Sequence, residues 1–330
     1  INLYYQIEVI ESQYGLDNQQ RSGTLTRVND NYFTSNDSAN TTFLVYPDSF
    51  IIVRDEVDGQ QLFIAGTPER QEPYPVELIA GDYLGVMTAC AAQPVDNKCS
   101  DGYFHTYYHI RIKTDETLLM CPLSLENSSL ETCLQEDPWF SRPIVWKDQG
   151  GGIIRLTYDS SLDQDNPLGF EFDTPIDIGS MMLGVDETGE HTLIIDSIGA
   201  PEIDITPGMV AGGRLIDLAN VDFPNELFSF YQNGYRFEIS LANDDTYVGT
   251  TQIPGSRDIQ VTGKLLRNTP LPGLITFSVD TMDGAPVDQS LHRNGVGILM
   301  PRSGFMAIAP SNADFLTPSD EPQLLLGGKR

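Results

Sequence analysis

The first residues of the chain, INLYYQIEVI, alternate strictly between two faces. One face carries Ile1, Leu3, Tyr5, Ile7 and Val9. A period of two over nine residues predicts a β-strand with one buried face. Because such a strand can pair with the sheet edge of a neighbouring subunit, we expect it to serve as an assembly strand.

Short apolar runs, such as FIIVRDEV and LITFSVD, fill most of the remaining chain. Turn-forming pairs such as Asp58-Gly59, Thr67-Pro68 and Asp101-Gly102 separate them, which is typical of antiparallel strands. Long amphipathic patterns of the kind found in βαβ proteins are missing from the sequence. The pattern predicts an all-β protein of two antiparallel β-sandwich domains, Ig-like or jelly-roll-like, with one or two short helices.

Two segments are candidates for those helices. In SSLETCLQED, Ser128 stands three residues before Glu131, which is a capping box, and Pro138 ends the pattern. The segment NELFSFYQNG predicts one or two helical turns that end at Gly234.

A length of 330 residues suits two domains better than one. Cysteine disappears after the glycines at 150–152, so we place the boundary there. This gives an N-terminal β-sandwich domain at 1–150 and a C-terminal one at 151–330. The final stretch, TPSDEPQLLLGGKR, is expected to form a loose tail.

The four cysteines are Cys90, Cys99, Cys121 and Cys133, and all lie in the first of these domains. An even, clustered set is typical of two disulfides in an exported protein. Pairing Cys90 with Cys99 and Cys121 with Cys133 is preferred among three connectivities because each closes a short loop. Zinc is the alternative, but no two cysteines have the close spacing of a structural zinc site. We therefore expect an extracellular or cell-surface location, with the periplasm as an alternative.

Acidic residues dominate the charge: 47 Asp and Glu against 19 Lys and Arg give a net charge of −28. Binding to phosphate backbones or anionic headgroups requires clustered cations, so we expect no nucleic-acid partner. No apolar run reaches the roughly 18 residues of a membrane span, so no spanning segment is expected.

The segment YDSSLDQDNPLGFEFD is the main candidate for a metal site. It brings Asp159, Asp163, Asp165 and Asp173 around a turn, and calcium prefers such oxygen ligands. The order of an EF-hand is broken, because the glycine is displaced and the last Glu is missing. The hypothesis is therefore calcium, with a plain solvated acidic loop as the alternative.

Aromatic residues gather in the cysteine-bearing region. Tyr103, Tyr107, Trp139 and Trp146 could present flat faces to sugar rings, which predicts a binding surface for a glycan or a surface protein. The alternative is that these side chains belong to the core.

Candidates for catalysis are few, because the familiar nucleophile, zinc-protease and phosphate-loop motifs are absent from the sequence. His105 and His109 lie four apart in an apparent strand, about 13 Å from each other, which is too far to share an ion. His191 and His292 are the two histidines to test first for a triad built from distant strands, with surface loops as the alternative. No catalytic residue is assigned.

Residues 57–90 carry an Asp58-Gly59 turn, then Gly66-Thr67-Pro68, and then Leu78, Gly81 and Tyr83. This arrangement resembles the PEGA-type module, a small β-unit with an Asp-Gly turn, a Gly-Thr-Pro turn, a leucine strand and a Gly-x-Tyr strand. The resemblance covers about 35 residues and implies a non-catalytic, surface-associated module with no active-site residues.

These patterns together favour an exported non-catalytic surface protein, structural or adhesive, such as a filament or pilus-type subunit or a glycan- or protein-binding module. One alternative is a secreted hydrolase that acts on polysaccharide or peptide. The other is a spike or capsid component of a virus or phage.

Overall fold

The computed structural model of the chain describes residues 3–8, 20–38, 41–57, 60–68, 70–95, 99–123, 131–132, 144–150, 152–162, 172–203, 205–222, 226–232, 235–252, 257–269, 271–288, 295–310 and 324–330. Their strands form three antiparallel sheets.

The first sheet, called the N-terminal sheet here, is a six-stranded meander in which each strand pairs with the next. Its strands are β1 (Leu3–Glu8), β2 (Gln20–Arg27), β3 (Tyr32–Ser35), β4 (Thr42–Tyr46), β5 (Phe50–Val57) and β6 (Gln60–Gly66). The sheet is curled. Its curvature brings Arg21 on β2 within 2.9 Å of Asp55 on β5, although β3 and β4 lie between these strands in the sheet.

The second sheet closes on itself and is called the first barrel. Its eight strands are β7 (Gly81–Cys90), β8 (Tyr103–Ile112), β9 (Thr117–Leu123), β10 (Ile144–Asp148), β11 (Ile153–Tyr158), β12 (Ile176–Val185), β13 (His191–Ala200) and β14 (Ile205–Arg214). Pairing of β14 with β7 and of β9 with β10 completes the ring.

The third sheet also closes, through pairing of β18 with β19, and is called the second barrel. Its strands are β15 (Glu226–Gln232), β16 (Tyr235–Leu241), β17 (Thr246–Gln252), β18 (Ile259–Arg267), β19 (Leu274–Met282), β20 (Ala285–Pro286), β21 (Gly295–Leu299), β22 (Phe305–Pro310) and β23 (Leu325–Lys329). The short β20 pairs only with β19.

Helices contribute little to the described part of the chain. A four-residue helix, α1 (Val76–Ile79), lies between the N-terminal sheet and the first barrel. Two short 3₁₀ helices cover Ser160–Leu162 and Pro201–Ile203. Among these residues, no helix has the length and apolar content that crossing a bilayer requires.

The all-β class with few helices is confirmed. The two larger sheets are closed barrels, whereas the expectation was for pairs of facing sheets. Alternation between inward and outward side chains is the same in both arrangements, so the sequence pattern does not distinguish them.

The expected boundary at 150–152 falls in the turn between β10 and β11, which pair with each other over Ile144–Asp148 and Ile154–Tyr158. The sheets divide the chain elsewhere, between β6 and β7 and between β14 and β15. The distribution of cysteines along the chain therefore does not coincide with its division into sheets.

Several local predictions were wrong. Residues Glu226–Gln232 are β15 and not helical turns, and Leu325–Lys329 form β23, which lies between β15 and β22 and is no loose tail. In each case the tertiary pairing outweighs local propensity. Of the capping-box helix, Glu131 and Thr132 are helical and the rest lies outside the described residues.

The PEGA-like stretch does not form one unit. Its strands β5 and β6 belong to the N-terminal sheet, whereas β7 belongs to the first barrel. Leu78, expected in a strand, lies in α1, whereas Gly81 and Tyr83 lie in β7, where the resemblance implies the Gly-x-Tyr strand. Val57 pairs with Gln60, so the Asp58-Gly59 dipeptide, itself outside the described residues, connects β5 to β6.

In the part of the chain that the structure describes, three apolar clusters form the core. The interior of each barrel is filled by its own cluster, with Trp146 and Tyr158 in the first and Phe228 and Phe230 in the second. The third cluster joins all three sheets between their outer faces. The ring centroids of Phe50 and Phe305 there lie 4.7 Å apart.

The predicted pairing of Cys90 with Cys99 is confirmed, with Cα atoms 5.2 Å apart. Cys121 is also disulfide-bonded. Cys133, its expected partner, lies outside the described residues.

Candidate functional site

Three consecutive residues, Glu190, His191 and Thr192, contact three different parts of the molecule. Glu190 binds the second barrel, His191 binds the mouth of the first barrel beneath α1, and Thr192 binds the N-terminal sheet. Successive side chains of a strand point to opposite faces, which explains how adjacent residues reach different partners. We call these three residues the junction.

A tight turn before β13 positions the junction. The Oδ1 atom of Asp186 accepts hydrogen bonds from the amides of Thr188 and Glu190, both at 2.9 Å, and from the Thr188 hydroxyl at 2.7 Å. The left-handed Gly189, with φ of 77°, completes the turn. The start of β13 is therefore fixed by local side-chain bonding.

Glu190 is buried, and its carboxylate accepts hydrogen bonds from backbone amides of the second barrel. The Arg302 amide lies 3.1 Å from both carboxylate oxygens and the Ser303 amide 2.5 Å from Oε2. In return, the Arg302 guanidinium donates to the Thr188 carbonyl at 3.3 Å. Burial raises the pKa of Glu190, while these amide bonds act in the opposite direction.

His191 is 1% exposed and lies inside the mouth of the first barrel. Its Nδ1 atom is 2.8 Å from the hydroxyl of Tyr83, which donates its own hydrogen to the Ile79 carbonyl at 2.8 Å. The hydrogen on Nδ1 therefore donates to Tyr83, and Nε2 is left to accept from Arg214 Nη1 at 3.4 Å. The network selects the neutral Nδ1–H tautomer.

Two effects keep the imidazole neutral. Burial lowers the pKa of His191 to about 4, with the Arg214 cation acting in the same direction and the Asp186 carboxylate opposing it more weakly. Burial also raises the pKa of the Tyr83 hydroxyl, which stays protonated.

Arg214 connects His191 to α1. Its Nη2 atom donates to the Ala80 carbonyl at 2.9 Å and its Nη1 atom to the Leu78 carbonyl at 3.5 Å. Together with Tyr83, it satisfies the last carbonyls of the helix, which have no partners within the helix itself.

Thr192 joins the first barrel to the N-terminal sheet. Its hydroxyl lies 3.0 Å from that of Ser49, and both side chains are buried. Two glycines allow the close approach of the sheets. A Cβ at Gly184 would lie 1.8 Å from the Ser49 carbonyl oxygen, and one at Gly213 would lie 2.3 Å from Met300 Sδ of the second barrel.

His191 is the only one of the two histidines proposed for catalysis that the structure describes, since His292 lies outside the described residues. His191 is not in a surface loop, and both ring nitrogens already have protein partners. His105 and His109 both lie on β8, as expected, opposite Thr88 and Leu84 of β7.

A second polar cluster lies on the outer face of the first barrel. Asp82 Oδ1 is 2.9 Å from His109 Nε2 and 2.7 Å from Arg111 Nε, and Arg111 also contacts Glu131 at 3.0 Å. Burial alone would raise the pKa of Asp82, but hydrogen bonds from Arg111 and His109 outweigh it and hold that pKa below its ordinary value. The cluster is an ion-pair network between neighbouring strands.

The proposed calcium ligands are only partly described. Asp159 accepts hydrogen bonds from the amide and hydroxyl of Ser161 at 2.9 and 2.6 Å and so caps the 3₁₀ helix that follows. Asp173 lies near the start of β12, whereas Asp163 and Asp165 are outside the described residues. Where side chains are described, no group of three or more His, Cys, Asp or Glu is placed to hold a metal ion.

The proposed aromatic binding face is divided. Trp146 points into the first barrel and Tyr107 into the cluster between the sheets, and each is 2% exposed. They belong to the core, which was the alternative prediction. Tyr103 is partly exposed on β8, and Trp139 lies outside the described residues.

The predicted assembly strand is β1, which pairs with β2 of the same chain. Leu3 and Tyr4 are exposed, whereas Tyr5 and Ile7 are half-buried. Ile1 and Val9 lie outside the described residues. The period-two pattern thus predicted strand β1 correctly. Its partner in the structure is β2 of the same chain, whereas the predicted partner was a neighbouring subunit.

Sequence reasoning missed Glu190, Thr192, Tyr83 and Arg214. The segment VDETGEH carries a turn signal, because Asp stands two residues before Thr and Gly precedes Glu. This signal predicts the turn but not the residues that bind Glu190 and Thr192, which come from distant segments. Comparison of the sequence with known protein families and with characterised proteins found no match.

Proposed function

We propose that the chain is an exported, non-catalytic surface protein with a structural or adhesive role. The observation that carries this proposal is the use of buried polar groups at the junction. Glu190 and Thr192 join the first barrel to the other two sheets, and His191 binds Tyr83 and Arg214 within the first barrel. Such an arrangement suits a rigid building block.

The filled interiors of the two barrels also support a non-catalytic role. An eight-stranded barrel has an interior just wide enough for side chains. Here Trp146, Tyr158, Phe228 and Phe230, all nearly or fully buried, occupy the two interiors. A ligand would have to displace packed side chains in order to enter.

Export is supported by the disulfide between Cys90 and Cys99, since such bonds persist in oxidising compartments. The large negative charge is compatible with a soluble surface protein, because like-charged copies resist unspecific association. The location we propose is extracellular or at the cell surface.

Assembly through β1 is the mode we propose for a filament-type role. One edge of β1 pairs with β2, and no other strand of the described chain pairs with its opposite edge. The N-terminal sheet has an even number of alternating strands, so its two edge strands, β1 and β6, run in opposite directions. Copies related by translation could then join β6 to β1 as an antiparallel pair.

Deletion of residues 1–10 tests this function. Light scattering after size-exclusion chromatography and electron microscopy should show ordered multimers of the intact protein and folded monomers of the deletion variant. The matched control is Tyr4→Ser, which removes an exposed side chain but keeps the backbone groups of β1, and it should still assemble. A monomeric intact protein, or multimers that survive the deletion, would refute the assembly proposal.

A further inference from the structure

We propose that α1 is a lid on the first barrel that is held closed at neutral pH by His191 and Arg214 and released in acid. The proposal concerns residues 76–80 and does not depend on the surface role argued above.

The position of α1 is that of a lid. Ile79 is fully buried and belongs to the apolar cluster that fills the first barrel, and Val76 packs against the same cluster. Leu78 and Glu77 on the other side of the helix are exposed. Release of α1 would uncover the barrel mouth, where Tyr83, His191 and Arg214 lie.

The lid depends on side chains for its attachment. A helix of four residues is too short to be stable by its own hydrogen bonds, of which the bond from the Ala80 amide to the Val76 carbonyl is one. Its last carbonyls are instead bound by Tyr83, at 2.8 Å to Ile79, and by Arg214, at 2.9 Å to Ala80. Displacement of Arg214 would therefore remove its two hydrogen bonds to the helix end, to the carbonyls of Leu78 and Ala80, and leave that of Tyr83.

Protonation of His191 would disturb Arg214 directly. In the neutral tautomer Nε2 accepts from Arg214 Nη1 at 3.4 Å, but a protonated Nε2 would turn an N–H toward the guanidinium and add a like charge. Within the described ranges, the charged or titratable groups that act on the ring are Tyr83 from β7, Arg214 from β14 and Asp186 from the turn before β13. Of these only Asp186 favours the imidazolium, and its Oδ1 atom is already bonded to the turn.

The titration behaviour agrees with this geometry. The pKa of His191 is lowered to about 4 by burial and by Arg214, so the closed lid disfavours the proton. Glu190 contacts the second barrel and not the lid, and burial raises its pKa, so the folded protein accepts a proton there more readily than the unfolded chain does. Acid should therefore release the lid but leave the contact with the second barrel in place.

Fixed points flank the lid on both sides. Upstream, Asp148 accepts from the Tyr74 amide at 3.0 Å and from Arg70 at 3.1 Å, which anchors the chain just before Pro75. Downstream, Gly81 begins β7 and pairs with Ile112 of β8, which anchors the chain just after Ala80. The movable unit is thus limited to residues 76–80.

Hydrogen exchange read by mass spectrometry tests the lid. Protection of the peptide over residues 74–83, corrected for intrinsic exchange, is compared between pH 7 and pH 4 with that of a reference peptide over β16 and β17. We expect the lid peptide to lose at least about tenfold in protection relative to the reference, because full exposure of His191 on opening, from a pKa of about 4 to the ordinary 6.5, would give a factor of about 10² at pH 4. An unchanged ratio would overturn the proposal, and so would an equal loss in both peptides, which would indicate general acid unfolding.

The variant His191→Gln identifies the group, because the amide can occupy the same two contacts but does not titrate. Its lid protection should stay within about twofold between the two pH values. The matched control His109→Gln, on β8 of the same barrel, should behave like the intact protein. Acid release that persists in a folded His191→Gln protein, or that disappears in His109→Gln, would overturn the assignment. If His191→Gln does not fold, an unchanged protection ratio in the intact protein, or loss of acid release in His109→Gln, would still overturn it.

Discussion

The hydroxyl oxygens of Ser49 and Thr192 lie 3.0 Å apart in a buried contact, although 143 positions separate the two residues in the chain. Ser49 belongs to the turn between β4 and β5, and Thr192 to β13. This bond joins the N-terminal sheet to the first barrel beside the point where Glu190 joins the first barrel to the second.

A double-mutant cycle measures this bond. Ser49→Ala and Thr192→Val each leave a buried hydroxyl without its partner, so each should lower the free energy of unfolding by about 1–3 kcal/mol. The double variant should lose less than the sum, with a coupling energy of about 1 kcal/mol in urea denaturation. Strict additivity would show that the two hydroxyls do not interact.

The N-terminal sheet and the first barrel also approach each other closely at Gly184 of β12, so a larger residue at this position should destabilise the protein. Gly184→Ala places a methyl group 1.8 Å from the Ser49 carbonyl oxygen, and backbone has to move to relieve it. We expect a loss of roughly 2–3 kcal/mol in the free energy of unfolding, as in other overpacked sites. Gly66→Ala is the matched control, because its Cβ would meet no atom closer than 4.0 Å, and it should be nearly neutral. Equal effects of both variants would contradict the proposed contact.

Glu190→Ala should weaken the contact between the first and second barrels. The substitution leaves the amides of Arg302 and Ser303 without their acceptor, and buried unsatisfied donors are costly. Urea denaturation should show a loss of about 2–4 kcal/mol in the free energy of unfolding. Glu187→Ala, in the same turn but exposed, is the control and should change stability by less than about 0.5 kcal/mol.

His191 predicts a dependence of stability on pH. Its pKa is about 4 in the folded protein and 6.5 as the ordinary value, so the unfolded chain binds the proton more tightly. The stabilising contribution is complete above about pH 6.5 and is lost as the pH falls toward 4.

Comparison with His191→Gln isolates this contribution, because the opposite response of Glu190 is common to both proteins. From pH 7.5 to pH 4.5, the free energy of unfolding of the intact protein should fall by roughly 2–3 kcal/mol more than that of the variant. Parallel pH profiles of the two proteins would contradict the neutral buried state of His191.

Much of the strand pattern could be predicted from the sequence, because alternation and turn residues act locally. Spacing within short segments predicted three features: the strand at Leu3–Glu8, the location of His105 and His109 on one strand, and the disulfide between Cys90 and Cys99. Such signals need no knowledge of the distant partners of a residue.

Closure and the junction could not be predicted, because they depend on which strands meet. The same inward and outward alternation serves a barrel or a sandwich, and Leu325–Lys329 becomes a strand through its pairing with β15 and β22. Glu190 and Thr192 looked like ordinary turn and strand residues, since Ser303 and Ser49 reach them only in the folded chain.

Differential scanning calorimetry shows whether the junction joins the three sheets into one rigid unit. We expect a single transition at neutral pH whose calorimetric and van't Hoff enthalpies agree. Two or three separate transitions, or a calorimetric enthalpy that is a multiple of the van't Hoff value, would show that the sheets unfold independently and would contradict this expectation.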